Sequence, residues 1–193
     1  MIFREGEAGD VVLIITDGRV KAFVTTPDGH EVLLSLRGPG ELVGELAALD
    51  EAGGPRTATV TAVIATAGRI IPGSALRRFL EERPRAAAAL LRQLASRLVE
   101  ADRRRVDFGA YGTTRRVARL LVELADVHGV EDAAGVGVEL RLALSQDELA
   151  GLVGASRESI ARALATLRQH GLVTTARHRI GIGDLDALRS FTG

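Results

Sequence analysis

The stretch LSQDELAGLVGASRESIARALATLRQHGLV, residues 144–173, leaves its backbone few choices. Ser145 followed by Glu148 forms a capping box, so a helix is expected to start at Gln146. Leu149 and Val153 give that helix an apolar stripe. Ala150 is small where two helices must cross closely, and Gly154 permits the tight turn between them. Ser156 caps a second helix whose buried face is Ile160, Leu164 and Leu167. With Gln146 counted first, the small residue, the glycine and the β-branched residue fall fifth, ninth and fifteenth. That is the pattern of a helix-turn-helix.

At about 100° per residue, Arg157, Glu158 and Arg162 share one arc of the second helix, away from Ile160 and Leu164. Such an arc suits the major groove of DNA, where arginine bonds guanine bidentately and glutamate accepts from the cytosine amine. Its plainer reading is the solvated face of a helical hairpin. Residues 171–183, GLVTTARHRIGIG, read as a two-stranded wing. Arg177, His178 and Arg179 stand there as candidates for phosphate contacts, together with Ser145 and Ser156 at the two helix starts. Otherwise His178 is a loop histidine, with no metal-ligand partner near it in sequence.

The rest of the chain divides by periodicity. The first 71 residues read as strands. VVLIITDGRVKAFV holds two β-rich runs, with Asp17-Gly18 expected as a hairpin turn. TTPDGHEVLLSL repeats the pattern around Pro27-Asp28-Gly29, and TATVTAVIATAG and RII follow a loop. A sandwich or barrel-like roll is the expected result. From Ser74 to about Phe108 the pattern is helical: a short helix stops before Pro84, and a long one carries Pro84 in its first turn. Leu91, Leu94, Leu98, Ala101, Arg105 and Phe108 recur at spacings of three and four, close to a heptad seam. The seam packs either on its own domain or on a second copy as a coiled coil. Gly109 and Gly112 suggest a hinge, and Thr113 or Thr114 a cap for the amphipathic helix that ends at Gly129. VEDAAGVGVELRLA is a loop or hairpin.

Composition excludes several classes. The 193 residues suffice for one large or two small domains, and 46% are apolar. With no cysteine there are no disulfides, thiolate metal sites or cysteine-held iron–sulfur clusters. Lys and Arg total 25 against 25 Asp and Glu, so net charge says nothing about nucleic acid. No apolar run reaches membrane-spanning length and no signal peptide follows Met1, so a cytoplasmic location without membrane partners is expected. A P-loop, a His-Glu-x-x-His pair, a nucleophile elbow and a Cys–His set are all missing, so no enzymatic activity is expected.

GELAALDEAGGPRTATV, residues 44–60, sets Glu45 and Arg56 in one small loop. Backbone amides at a helix start, helped by a guanidinium, hold a phosphate, and a nearby carboxylate accepts from a ribose hydroxyl. The plainer alternative is a surface salt bridge between Glu45 and Arg56.

This stretch resembles the phosphate-binding cassette of cyclic-nucleotide-binding domains. With SRESIARAL and the order of elements, the whole chain resembles the CRP/FNR family of bacterial transcription regulators, close to its catabolite activator branch. The resemblance implies an α+β fold. A jelly-roll-like N-terminal β-roll would span residues 1–83, a long dimerisation helix 84–109, and a winged helix-turn-helix 110–193. It implies that Glu45 meets a ribose hydroxyl, that Arg56 and Thr57 meet a cyclic phosphate with the Gly44 backbone nearby, and that Arg157, Glu158 and Arg162 read bases. A homodimer through residues 86–108, a two-fold symmetric site in double-stranded DNA, RNA polymerase as a partner and a cyclic nucleotide, cAMP or cGMP, as effector follow from it.

Two departures stand out. Family members carry some tens of residues before the point where this chain begins, including the first strands of the roll. Either the roll is incomplete here or the start is misassigned. Cyclic-AMP-responsive members typically place Thr, then Ser or Asn, at the base-reading position of the long helix, where this chain has Ala101 and Asp102. Ala101 offers no hydrogen bond, and an ionised Asp102 only accepts, as the guanine edge would require. Weak cAMP binding is expected, with cGMP, another effector or none as alternatives. A nucleotide-sensing subunit without DNA binding is a further alternative, against which the helix-turn-helix argues.

Overall fold

The computed structural model describes residues 1–29, 31–51, 53–132, 137–140, 144–176 and 179–192. Two compact units divide the chain, Met1–Asp102 and Arg103–Gly193.

The first unit contains Val11–Asp17 (β1), Val20–Thr25 (β2), Glu31–Arg37 (β3), Leu42–Val43 (β4), Glu45–Leu49 (α1), Thr59–Ala62 (β5), Ala67–Pro72 (β6) and Gly73–Glu82 (α2). It also holds most of Pro84–Ala110 (α3). The strands form two three-stranded antiparallel sheets, β4-β1-β6 and β3-β2-β5. Pro27-Asp28-Gly29 makes the expected hairpin turn, closed by Gly29 N–H on Thr26 O at 2.8 Å.

Asp17-Gly18 does not make the expected hairpin. The chain crosses there from one sheet to the other. Gly18 has φ 81°, and a Cβ on it would lie 2.2 Å from Ala65 O. Thr66 locks the corner: its hydroxyl accepts from Arg19 N–H at 3.2 Å and donates to Arg19 O at 3.0 Å. The return crossing at residues 63–66 divides TATVTAVIATAG into β5 and β6. The crossings turn the apolar faces toward each other, and Leu13, Ile15, Val20, Val43 and Val60 from both sheets share one core with Phe3. Complete burial of each such side chain contributes roughly 1.5–3 kcal/mol.

Helix α2 begins at Gly73, where a Cβ would meet Ala48 O at 2.7 Å, and its Leu76 packs on Val12 and Ala48. Helix α3 buries Leu90 alone among its described residues. Leu94 is half-buried, whereas Leu91, Leu98, Val99, Val106 and Phe108 are 60–66% exposed. The expected seam is therefore an open apolar stripe. The expected break at Gly109 is not seen, because α3 continues to Ala110.

The second unit contains Thr113–His128 (α4), Val130–Glu131 (β7), Val138–Leu140 (β8), Gln146–Val153 (α5), Arg157–Gln169 (α6), Val173–Ala176 (β9), Arg179–Ile182 (β10) and Leu185–Thr192 (α7). Gly112, not Thr113 or Thr114, occupies the cap of α4, and no side chain bonds there. Gly129 ends α4 in an extended conformation, with its N–H on Ala125 O. The wing strands β9 and β10 pair as expected, but β8 joins β10 from the other side and β7 extends the sheet to β7-β8-β10-β9. Helix α7 has no counterpart in the sequence reading. Asp184 accepts from Ala187 N–H at 2.9 Å at its start, and the fully buried Leu188 anchors it.

Candidate functional site

The cassette is built on Gly44. Its φ of 84° and the nearness of Arg56 Nη1, 2.4 Å from where a Cβ would stand, restrict the position to glycine. Arg56 donates from Nη1 to Gly44 O and from Nη2 to Val11 O, both at 2.9 Å. Its guanidinium lies 4.0 Å from the centre of the Phe3 ring. Burial pushes its pKa down from the ordinary arginine value, while the charges of Asp10, Glu45 and Glu7 oppose that shift. Thr57 beside it is exposed.

Glu45 opens α1 and is 4% exposed. The surface salt bridge to Arg56 is not its principal contact. Arg97 of α3 donates from Nη1 to Glu45 Oε1 at 2.6 Å and from Nη2 to Leu42 O at 2.7 Å. Arg97 also approaches Glu41 at 3.9 Å, and Arg37 reaches Glu41 at 3.5 Å and Glu100 at 4.0 Å. Burial and the like charge of Arg97 push the Arg37 pKa down, against Glu41, Glu100 and Glu45. These contacts hold α3 against the segment that leads into the cassette. Arg97 Nε is buried without an acceptor.

Arg97 was missed by sequence reasoning, yet a signal existed. It continues the Leu90–Leu94 stripe at a spacing of three, so a charge falls on a face otherwise turned inward. Ala101 lies one turn beyond Arg97 on the same face of α3, and Asp102 stands about 100° round from it. Both are exposed. The loop thus combines a buried carboxylate, a buried guanidinium and an exposed hydroxyl beside a helix face. That donor set suits an anion bearing hydroxyl groups.

The second candidate surface lies on α5 and α6. Ser145 forms the capping box: its Oγ accepts from Glu148 N–H at 3.1 Å, and its N–H donates to Glu148 Oε2 at 2.7 Å. Gly154 is left-handed at φ 66°, and a Cβ there would stand 3.1 Å from the Phe108 ring. Ser156 caps α6 by accepting from Ser159 N–H at 3.3 Å. Ile160, Ala163, Leu164 and Leu167 are buried on one side of α6. Arg157, Glu158 and Arg162 are all exposed on the other. The backbone N–H hydrogen bond holds the Glu158 pKa below the ordinary carboxylate value, with the charges of Arg157 and Arg162 adding to the effect. An ionised acceptor between two arginines therefore stands at the helix start.

The phosphate candidates fare unevenly. Ser145 and Ser156 spend their hydroxyl protons within the caps, on Glu148 at 2.9 Å and Ser159 at 3.1 Å. Arg179 pairs with Glu139 at 3.4 Å on the neighbouring strand. Arg177 and His178 lie outside the described residues. No described helix is long and apolar enough to cross a membrane.

The chain matches two family models, the cyclic nucleotide-binding domain over residues 1–83 and the Crp-like helix-turn-helix domain over residues 115–191. It is 36% identical over 187 residues to the CRP-like cAMP-activated global transcriptional regulator of Mycobacterium tuberculosis, covering 97% of this chain and 82% of that protein. It is 34% identical over 186 residues to the cyclic AMP receptor protein of Thermus thermophilus, covering 96% and 78%. Among solved structures, FixK2 from Bradyrhizobium japonicum shares the fold at TM-score 0.82 and 23% identity, covering 100% of this chain and 92% of that one. A CRP-family transcriptional regulator from Thermus thermophilus superposes at TM-score 0.78 with 27% identity and the same coverage.

Proposed function

We propose, from the premise that this chain belongs to the CRP family of DNA-binding transcription regulators, that it reads a palindromic operator as a homodimer under the control of an anionic nucleotide. The observation that carries this reading is the face of α6. Arg157, Glu158 and Arg162 stand exposed on a capped helix whose opposite side is buried in its own unit. In this reading Arg157 and Arg162 bond guanines and Glu158 accepts from a cytosine amine. The exposed stripe of α3 supports the dimer, since two copies would cover it together. Residues 1–83 would serve as the effector domain, 84–109 as the dimer helix and 110–193 as the reader of DNA. RNA polymerase as a partner, a cytoplasmic location and the lack of enzymatic activity belong to the same proposal.

In the cassette, Glu45 meets ribose hydroxyls and Arg56 and Thr57 meet the phosphate, with the Gly44 backbone beside them. The relatives are named for cyclic AMP, which makes cAMP the first nucleotide to test. Ala101 and Asp102 support a second reading, in which cAMP binds weakly and cGMP or another nucleotide is the effector.

The test is DNA binding by the full chain to an operator selected from a randomised pool, with cAMP present. Arg157→Ala should cost roughly 1–3 kcal/mol on the operator and relax the preference at one guanine. Equal weakening of operator and random DNA would end the base-reading assignment.

A further inference from the structure

The face of α6 holds a chain of hydrogen bonds that the base-reading roles leave unexplained. Ser156 Oγ accepts from Ser159 N–H at 3.3 Å, which caps the helix. The same hydroxyl donates to Ser159 Oγ at 3.1 Å. Ser159 Oγ in turn accepts from Arg162 Nη2 at 2.9 Å. The cap thus uses the backbone of Ser159, while its side chain acts on Arg162.

That bond bears on geometry. A free arginine side chain is rich in rotamers, and each must be frozen when the guanidinium meets a base. Ser159 lies three residues before Arg162, so the bond draws the guanidinium back toward the start of α6, where Arg157 and Glu158 stand. Residues at the start of a recognition helix are the ones that reach base edges. Among the described residues the bond to Ser159 takes one N–H of Arg162, and the guanidinium keeps further donors for a bidentate pair with guanine. Among the described residues Arg157 shows no such brace, and it approaches Asp147 of α5 at 3.8 Å.

We infer that Ser159 is a positioning residue that pre-orients Arg162 and thereby sets discrimination at the guanine Arg162 reads. This rests on the base-reading role proposed above for Arg162.

Ser159→Ala removes the hydroxyl and leaves the capping N–H in place. Alanine is the better helix former, so the melting temperature should not fall. The full chain is tested on the selected operator and on duplexes in which each G·C pair of the half-site is changed in turn to A·T. Wild type should lose affinity sharply at each pair that is read, and Arg162→Ala should abolish the preference at one of them. Ser159→Ala should reduce the preference about three- to tenfold, the worth of one side-chain hydrogen bond. Ser159→Thr, which keeps the hydroxyl, should restore it. In an Arg162→Ala background Ser159→Ala should have no added effect, because the two act as one unit. A Ser159→Ala protein that weakens on every duplex by the same factor would mark Ser159 as a phosphate contact and overturn the inference. If Arg162→Ala loses the preference and Ser159→Ala keeps it, the inference alone fails. If Arg162→Ala keeps it, the base-reading role of Arg162 fails and takes the inference with it.

Discussion

Leu98→Ser tests the dimer directly, and its effect is set by the open stripe of α3. Leu98 is 62% exposed within its own chain and Leu91, one heptad earlier, is 66% exposed. Complete burial of a leucine contributes roughly 1.5–3 kcal/mol. With about two-thirds of the side chain left to cover, a partner helix recovers roughly 1–2 kcal/mol for Leu98 on each chain. A symmetric dimer loses that amount twice, so Leu98→Ser should weaken association by roughly 2–4 kcal/mol. At about 1.4 kcal/mol per tenfold, the dimer Kd should rise between about 30- and 1000-fold. The fold of each chain should change little, because an exposed position alters stability by about 0.5 kcal/mol or less. Sedimentation equilibrium over a wide concentration range reads the Kd, and circular dichroism checks the fold. Leu94 is a poorer probe, since it is half-buried in its own chain and its loss would mix folding with association. A Kd unchanged within threefold, or a wild type that is monomeric throughout, would refute the argument.

Four further outcomes are expected. Arg97→Met strands the Glu45 carboxylate and should lower stability in urea by roughly 1–3 kcal/mol, less than a fully buried pair costs because the Arg97 side chain is 17% exposed. Adding Glu45→Gln should recover part of the loss, and an unmoved midpoint in the single variant would contradict the buried pair. Thr57→Ala should leave stability unchanged while weakening nucleotide binding about five- to tenfold in calorimetry. If Thr57→Ala matches wild type with both cAMP and cGMP, Thr57 is no ligand. Asp102→Ser should strengthen cAMP binding about tenfold, and no gain would show that the base position is read elsewhere. Gly154→Ala should cost about 1–2 kcal/mol, because it forces a left-handed alanine toward the Phe108 ring at 3.1 Å; thermal melting decides it.

What the sequence determined by itself was local. The capping box of Ser145 and Glu148, the turn at Gly154 and the polar arc of α6 all depend on partners three or four residues apart, and all are present. The Pro27–Gly29 hairpin was legible for the same reason. Glu45 and Arg56 were legible as a carboxylate and a guanidinium set close together in one loop. Tertiary structure alone decided which groups they touch. Arg97 reaches Glu45 across 52 residues, and no spacing rule spans such a distance. The Asp17-Gly18 corner is the plainest case. A glycine with positive φ serves a hairpin and a sheet-to-sheet crossing equally well, and the choice fell to Ala65 and Thr66, which press against Gly18 and Arg19 from 47 residues away. Local hydrogen bonds can be read from sequence because the covalent chain brings their partners together. Sheet partners and buried ion pairs form only where burial of apolar surface outweighs the entropy of closing long loops, and that balance belongs to the folded chain as a whole.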